Sequence, residues 1–152
     1  MRAHSLTREQ RLPGAPEDVF PFFAAARNLE AITPPWLRFR VVTPEPIAME
    51  AGALIAYRLR LHGVPVRWLT RIAAWEPGVR FVDVQVRGPY RLWHHTHEFA
   101  SDPRDPGMTL MRDTVRWALP LGILGAPALP FVRRDLRRIF DHRARRVAEL
   151  IG

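Results

Sequence analysis

Residues 88–99 are GPYRLWHHTHEF and place three of the chain's six histidines within four positions. The Gly-Pro pair indicates a turn, and the aromatic-rich run after it is typical of a β-strand. Alternate side chains of a strand share one face. Here that face would hold Trp93, His95, His97 and Phe99. Imidazoles set between large aromatic rings are more typical of a pocket wall than of a dry core, so this strand is the first candidate for a functional site.

Further strands are predicted on both sides of this one, because apolar and polar residues alternate between Gly- or Pro-bearing turns. The predicted strands cover residues 5–12, 38–43, 54–61, 64–75, 80–87, 91–100 and 108–119. Short turns such as 62–63 and 76–78 join successive strands as hairpins, which gives an antiparallel meander. A strongly twisted sheet of this size is expected to curl.

Two short helices are predicted after the first strand, and one long helix at the end of the chain. Residues 16–18, PED, make a favourable first helical turn, since proline fits there and the acids complement the helix dipole. A second short helix is predicted over residues 28–32, ending before the prolines at 34–35. Over residues 129–151 apolar side chains recur at three- and four-residue spacing, which predicts an amphipathic helix.

The composition predicts one globular domain spanning residues 1–152, with 47% hydrophobic and 25% charged residues. The chain has no cysteine, which excludes disulfides, thiolate catalysis and zinc sites built on sulfur. All 23 basic residues are arginine, so Schiff-base chemistry on lysine is excluded as well. No apolar run approaches the length of a membrane span, and the first residues lack the apolar region of a signal peptide. We therefore expect a cytoplasmic location.

The net charge of +8 raises the question of an anionic partner. Many of the arginines fall on the predicted C-terminal helix, where a solvated face accounts for them. No recognisable nucleic-acid-reading motif accompanies them, so we expect no nucleic-acid partner. A transient contact with a membrane surface stays open, with the apolar stretch 119–131 as a gate and the arginine-rich helix facing anionic headgroups.

The predicted order of one strand, two short helices, six strands and a long helix is that of a curved sheet gripping a helix. Residues 88–99, 113–122 and 139–143 resemble segments of bacterial ligand-binding members of the START-like helix-grip superfamily. This superfamily, also called SRPBCC, includes birch-pollen-allergen-type proteins, polyketide cyclases and coenzyme-Q-binding proteins. The resemblance, which spans nearly the whole chain, implies an α+β helix-grip fold with a deep cavity for a hydrophobic small molecule. It does not distinguish binders and carriers from enzymes.

Hairpin register predicts which side chains face that cavity. A tight turn between the third and fourth strands would pair Tyr57 with Trp68 and place both on the inner face. In the last hairpin one register sets His97 opposite Asp113, and a two-residue slip sets His95 there instead. Either register leaves all three side chains inside, where a carboxylate and an imidazole can satisfy each other.

The group formed by His95, His97 and Asp113 admits several interpretations. Two histidines and an aspartate could bind a metal ion. A His–Asp pair could move protons, with His97 and Asp113 as the candidate catalytic residues. The group could instead be an orienting patch that hydrogen-bonds the polar end of an apolar ligand. A purely structural core network is the remaining alternative. We adopt the orienting patch, and assign no metal and no cofactor.

Other inward positions complete the predicted site. Asp83 and Gln85 could extend the polar patch, although the turn at 88–89 could instead place them outside. Arg143 interrupts the apolar stripe of the last helix; it could reach a ligand carboxylate or Asp113, but we expect it to snorkel to the surface. The predicted ligand-binding set is Tyr57, Trp68, Asp83, Gln85, Trp93, His95, His97, Asp113, Trp117, Phe140 and Arg143.

The sequence therefore predicts a protein that binds or carries a hydrophobic small molecule, such as a lipid, quinone, polyketide or aromatic compound. One alternative is a cyclase/aromatase-like or hydrolytic enzyme that uses the His–Asp pair. A further alternative is lipid or quinone carriage at a membrane surface.

Overall fold

The computed structural model describes residues 2–120 and 126–152. Within them the elements are β1 (His4–Pro13), α1 (Pro16–Ala24), α2 (Ala26–Ile32), β2 (Arg40–Val41), β3 (Leu54–Leu61), β4 (Val64–Glu76), β5 (Arg80–Arg87), β6 (Leu92–Asp102), β7 (Asp105–Ala118) and α3 (Leu129–Ile151). Short 3₁₀ turns at Pro35–Leu37 and Ala126–Ala128 precede β2 and α3. The described strands form one antiparallel sheet in the order β1-β7-β6-β5-β4-β3-β2. This is the predicted α+β arrangement of a curved sheet, two short helices and a long C-terminal helix.

The central hairpin follows the predicted bounds and register. β3 begins at Leu54 and ends at Leu61, and Tyr57 lies directly opposite Trp68 on β4. The two turn residues, His62 and Gly63, have φ angles of 50° and 82°. Positive φ at both positions is the geometry whose twist matches the flanking strands, which explains how a two-residue turn closes this hairpin.

The second strand is much shorter than predicted. Only Arg40 and Val41 pair with β3, rather than residues 38–43. Arg38 closes the preceding 3₁₀ turn with a φ of 46°, so the extended conformation cannot begin there. After Val41 a side chain replaces part of the backbone ladder, because the Thr43 hydroxyl accepts the N–H of Ala56.

The last hairpin is longer than predicted. β6 extends to Asp102 and β7 begins at Asp105, which leaves a tighter turn than the connection 101–107 expected from the sequence. Asp102 explains the extension, because its carboxylate accepts the N–H of Arg104 and pairs with Arg11 on the neighbouring β1. This turn keeps β6 and β7 in register along almost their full length.

Helices cover the inner face of the sheet at its two ends. α1 buries Phe20 and Phe23 against the aromatic side chains of β5 and β6. α3 buries Leu136, Phe140 and Val147. Leu150 of the predicted stripe is 46% exposed, since Ile151 makes the core contact in that turn.

Among the described residues no helix is long and apolar enough to cross a membrane. The stretch 119–131, predicted as a gate, includes residues 121–125, which lie outside the described residues. In its described part Phe131, in the first turn of α3, is 56% exposed.

Candidate functional site

A cavity of about 160 Å³ lies between the inner face of β3–β6, the segment that joins α2 to β2, and α3. Aliphatic side chains such as Leu37, Leu59, Ile72 and Leu136 form much of its wall. The predicted site residues that border it are Tyr57, Trp68, Asp83, Trp93, His95, His97, Phe140 and Arg143. The ionisable members among these are grouped together, and the rest of the wall is aliphatic or aromatic.

Aromatic rings form one side of the cavity. Trp68 and Trp93 meet edge to face, with ring centroids 5.2 Å apart. Tyr90 packs on Trp93 at 4.9 Å and also borders the cavity. Tyr90 was missed as a site residue because it precedes β6, where strand alternation does not predict the direction of a side chain.

Gln85 does not border the cavity but holds this aromatic side in place. Its amide nitrogen donates to the carbonyl of Tyr90 at 2.6 Å, and its amide oxygen accepts the N–H of Tyr90 at 3.0 Å. The absence of a side chain at Gly88 makes room for it, since a Cβ there would lie 2.5 Å from the Gln85 oxygen. Gln85 is therefore a positioning residue rather than the ligand contact that was predicted.

Of the two registers that the sequence left open for the last hairpin, the structure has the first, with His97 opposite Asp113 and His95 opposite Val115. The closest hydrogen bonds run diagonally, however. His95 Nε2 lies 2.8 Å from Asp113 Oδ1, and His97 Nε2 lies 2.6 Å from Asp83 Oδ2. Asp83, whose direction the sequence left open, faces inward opposite His95. The predicted pair is thus a cluster of two histidines and two aspartates.

His95 is held in one neutral tautomer. Burial, with the neighbouring His97, lowers the pKa of His95 to about 4. Although burial alone would raise it, the Arg143 guanidinium and the two imidazoles hold the pKa of Asp113 well below its usual range. An ionised carboxylate only accepts, so His95 Nε2–H donates to Asp113 and Nδ1 keeps its lone pair.

The pKa of His97 shifts in the opposite direction, although His97 is also buried. Burial alone would lower its pKa, but contacts with Asp113 and Asp83 raise the pKa of His97 above its ordinary value. Its Nδ1 lies 3.2 Å from Asp113 Oδ1, so the ring bridges the two carboxylates. The ring also stacks on Phe81 at 3.9 Å and on His95 at 3.6 Å. These contacts favour the imidazolium form.

Arg143 does not snorkel to the surface, and that expectation was wrong. Its side chain is only 13% exposed, and Nη2 lies 3.5 Å from Asp113 Oδ1 and 3.4 Å from His97 Nδ1. The guanidinium also lies about 6 Å from the rings of Phe23 and Phe140. A buried carboxylate facing α3 supplies the partner that lets the cation stay inside.

Two further predicted contacts do not border the cavity. Asp113 lies behind His95 and is already bonded to it and to Arg143, so its role is to position the histidines. Trp117 is 2% exposed and packs with Val115 and Leu136, because α3 covers this part of β7. Sequence alternation places both side chains inside but cannot tell a cavity wall from the core behind it.

The candidate metal ligands Asp83, His95 and His97 have donor atoms within 4.8 Å of one another. The two imidazole planes are only 26° from parallel, with centroids 3.6 Å apart. Ring lone pairs lie in the ring plane, so stacked rings direct them along parallel lines rather than to a common point. Both Nε2 atoms already contact carboxylates, and Arg143 adds a positive charge. The geometry suits a hydrogen-bonded cluster better than a metal centre.

No protein-family model matches the sequence, and a search of the curated proteins finds no match. The structure is similar to several solved structures. Zhui aromatase/cyclase from Streptomyces sp. R1128 superimposes with a TM-score of 0.75 at 12% identity, covering 99% of this chain and 94% of the other. A START superfamily protein from Mycobacterium smegmatis gives a TM-score of 0.72 at 11% identity, with 97% of each chain covered. The protein TTHA0849 from Thermus thermophilus gives 0.70 at 20% identity, also with 97% of each chain covered. At these identities the likeness establishes the fold alone.

Proposed function

We propose that this chain, which has the START-like helix-grip fold, binds a hydrophobic small molecule in the cavity between the sheet and α3. The observation that carries the proposal is an apolar cavity whose ionisable groups, Asp83, His95, His97 and Arg143, are collected in one cluster. Mostly apolar pockets with a few converging polar groups are typical of small-molecule sites, where the apolar wall gives affinity and the polar groups give orientation.

The cost of leaving the cavity empty supports this proposal. Apolar side chains that line unfilled volume forfeit packing contacts, and most of the wall of this cavity is aliphatic or aromatic. Longer side chains at inner positions such as Leu59 or Thr70 would remove that cost. A ligand that fills the space regains these packing contacts, so ligand binding accounts for the presence of the cavity.

A matched pair of substitutions on β3 tests the proposal. Leu59 borders the cavity, whereas Leu54 lies on the outer face of the same strand and is 54% exposed. We expect Leu59→Trp to abolish binding of toluene, followed by NMR chemical-shift changes at the cavity wall, and Leu54→Trp to leave it unchanged. The same protein should carry a small molecule through purification, detected by native mass spectrometry. Failure of the natural chain to bind any apolar probe, or equal binding in both variants, contradicts the proposal.

A second candidate function, proton-transfer catalysis, is favoured by the state of His95. A neutral imidazole, held in one tautomer by an ionised aspartate and with the other nitrogen free, is the arrangement of a general base. His95, with Asp113 behind it, is the better candidate for that role than His97, because contacts with Asp113 and Asp83 raise the pKa of His97. The solved structure of an aromatase/cyclase with a similar fold makes the candidate worth testing.

Binding and catalysis are separated by His95→Gln. Glutamine keeps a polar side chain at this position but cannot act as a base near neutral pH. If the chain is an enzyme, turnover of the co-purified compound is lost while binding persists. If it is a binder, the compound is recovered unchanged from both proteins and only its affinity differs.

A further inference from the structure

We propose that the cavity selects a neutral, single-ring compound that donates an O–H, a phenol-type ligand; this inference rests on the proposed binding function. It is drawn from three features of the cavity: its unused hydrogen-bonding atoms, its charge balance and its size. None of them requires knowledge of a natural ligand.

The unused hydrogen-bonding atoms are acceptors. His95 Nδ1 accepts no hydrogen bond from the described residues, and the nearest carboxylate oxygen, Asp83 Oδ2, is 3.8 Å away. Asp83 uses Oδ2 for His97, and within the described part of the chain Oδ1 has no donor. Both residues border the cavity. Among the described residues no fully buried side-chain nitrogen or oxygen lacks a partner, so these two acceptors are open to the cavity. A ligand that donates a proton can pair with them there.

The charges of the cluster already balance. Two acidic side chains, Asp83 and Asp113, are matched by two basic ones: Arg143, and His97, whose ring bridges both carboxylates at 2.6 and 3.2 Å. The guanidinium, which would otherwise attract a ligand carboxylate, lies against Asp113 at 3.5 Å. A ligand carboxylate would enter beside the Asp83 carboxylate and lose its own hydration. A neutral donor adds no charge and is therefore preferred.

The size and lining of the cavity favour a single ring. A cavity of about 150 Å³ lined by aliphatic and aromatic residues holds benzene, and this cavity measures about 160 Å³. Trp68, Trp93 and Tyr90 offer ring faces and edges on one side. Flat rings pack on such walls in offset or edge-to-face contacts.

Four single-ring probes test the selectivity in the natural protein: phenol, anisole, toluene and benzoate, each titrated at pH 7 and followed by NMR. In a purely apolar cavity toluene would bind most tightly, because the hydroxyl of phenol loses its hydration without gaining a partner. We expect the reverse order, with phenol roughly tenfold tighter than both toluene and anisole, as one hydrogen bond to a charged acceptor provides. The comparison of phenol with anisole isolates the donated proton, since anisole keeps the oxygen attached to the ring but has no O–H. Benzoate should bind more weakly than toluene.

The variant Asp83→Asn tests the assigned acceptor. An amide replaces the carboxylate, so the preference for phenol over toluene should fall severalfold while toluene binding stays within about twofold, as expected when only one hydrogen bond is weakened. If toluene or anisole binds at least as tightly as phenol, or if benzoate binds most tightly, the phenol inference is overturned and the binding function stands. If no probe binds the natural protein, the binding function itself fails.

Discussion

The inner face of the sheet has two ends that are built from the same strands and differ in what fills them. At one end α1 inserts Phe20 and Phe23 between Phe81, Phe99 and Met111, and these side chains form one packed cluster. Toward the other end the cavity opens: Phe23 and Phe81 border it on the packed side, and the strands contribute His95 and Asp83. β6 contributes to both, with Phe99 at the packed end and the histidines at the cavity end.

The contrast shows how one strand pattern builds both a packed core and a cavity that charged side chains border. At the packed end, rings from a helix and a sheet interlock, so the burial of each ring contributes stability directly. At the cavity end, each buried charge needs a partner, so stability there depends on a network rather than on volume. The two ends meet where Phe81 stacks on His97 at 3.9 Å and where the Arg143 guanidinium lies about 6 Å from Phe23. The stability change on substitution should therefore follow the buried volume that is lost at the packed end and the loss of a charge partner at the cavity end.

The largest effect is expected at the packed end. Phe20 is 4% exposed and makes edge contacts with Trp75, Phe81 and Phe99. Phe20→Ala should lower the free energy of unfolding by about 4 kcal/mol, measured by urea titration, since it removes a large side chain and leaves a cavity. Phe131→Ala is the matched control, because Phe131 is 56% exposed and should change stability by under about 1 kcal/mol. Equal losses in the two variants would mean that the α1 end is not the packed core described.

At the cavity end the largest effect is expected from Asp113. Asp113→Ala leaves Arg143 and His97 buried without one of their carboxylates, and His95 Nε2 without its acceptor. Loss of one member of a buried ionic network costs about 3 kcal/mol. Asp141→Ala is the control, since this aspartate forms an exposed ion pair with Arg8 that is worth about 1 kcal/mol or less. A charge network predicts that adding Arg143→Met to Asp113→Ala restores part of the loss, whereas simple volume loss predicts none.

The two histidines should give the stability opposite dependences on pH. Burial holds the pKa of His95 at about 4, below the 6.5 of the unfolded chain, so the unfolded state binds more protons and stability falls between pH 6.5 and 4. The pKa of His97 is raised, so its contribution is fully present below pH 6.5 and is lost as pH rises through its folded value. Groups facing the pair from the other elements are Asp83, Asp113 and Arg143.

This prediction is checked by urea unfolding from pH 4 to 9. His95→Gln should remove an acid-side loss of about 3 kcal/mol, because the pKa of His95 falls from 6.5 to about 4 on folding and each pH unit of difference is worth about 1.36 kcal/mol. His97→Gln should flatten the alkaline side instead. If both variants change the same side of the profile, the two rings share one protonation behaviour and the distinction drawn between them is wrong.

Much of the fold was predictable because it depends on local rules. Alternation gave the inner face of each strand, and a two-residue turn fixed the register that pairs Tyr57 with Trp68. The facing of His95, His97 and Asp113 followed from the same rule. The short β2 was not predictable, since the left-handed conformation of Arg38 is set by the 3₁₀ turn before it.

The site was less predictable because it depends on contacts between distant elements. Asp83 was uncertain since the irregular turn at 88–89 separates β5 from β6 and disturbs the count of alternation. Arg143 was misjudged because its partner Asp113 lies on β7, thirty positions earlier in the chain. The size of the cavity depends on where α1 ends and how α3 crosses the sheet. The hydrophobic pattern of the sequence predicts neither the end of α1 nor the path of α3 across the sheet.

The smallest effect is expected from Gln85, which supports the cavity end of the sheet but does not border the cavity. Its amide bonds both backbone groups of Tyr90, at 2.6 and 3.0 Å. Gln85→Ala should cost about 1–2 kcal/mol for two such bonds and weaken toluene binding by releasing Tyr90 from Trp93. Glu76→Ala, on the exposed end of β4, is the control and should leave binding unchanged. If Gln85→Ala lowers stability without affecting the probe, the aromatic wall is held by the packing of Trp68 and Trp93 alone.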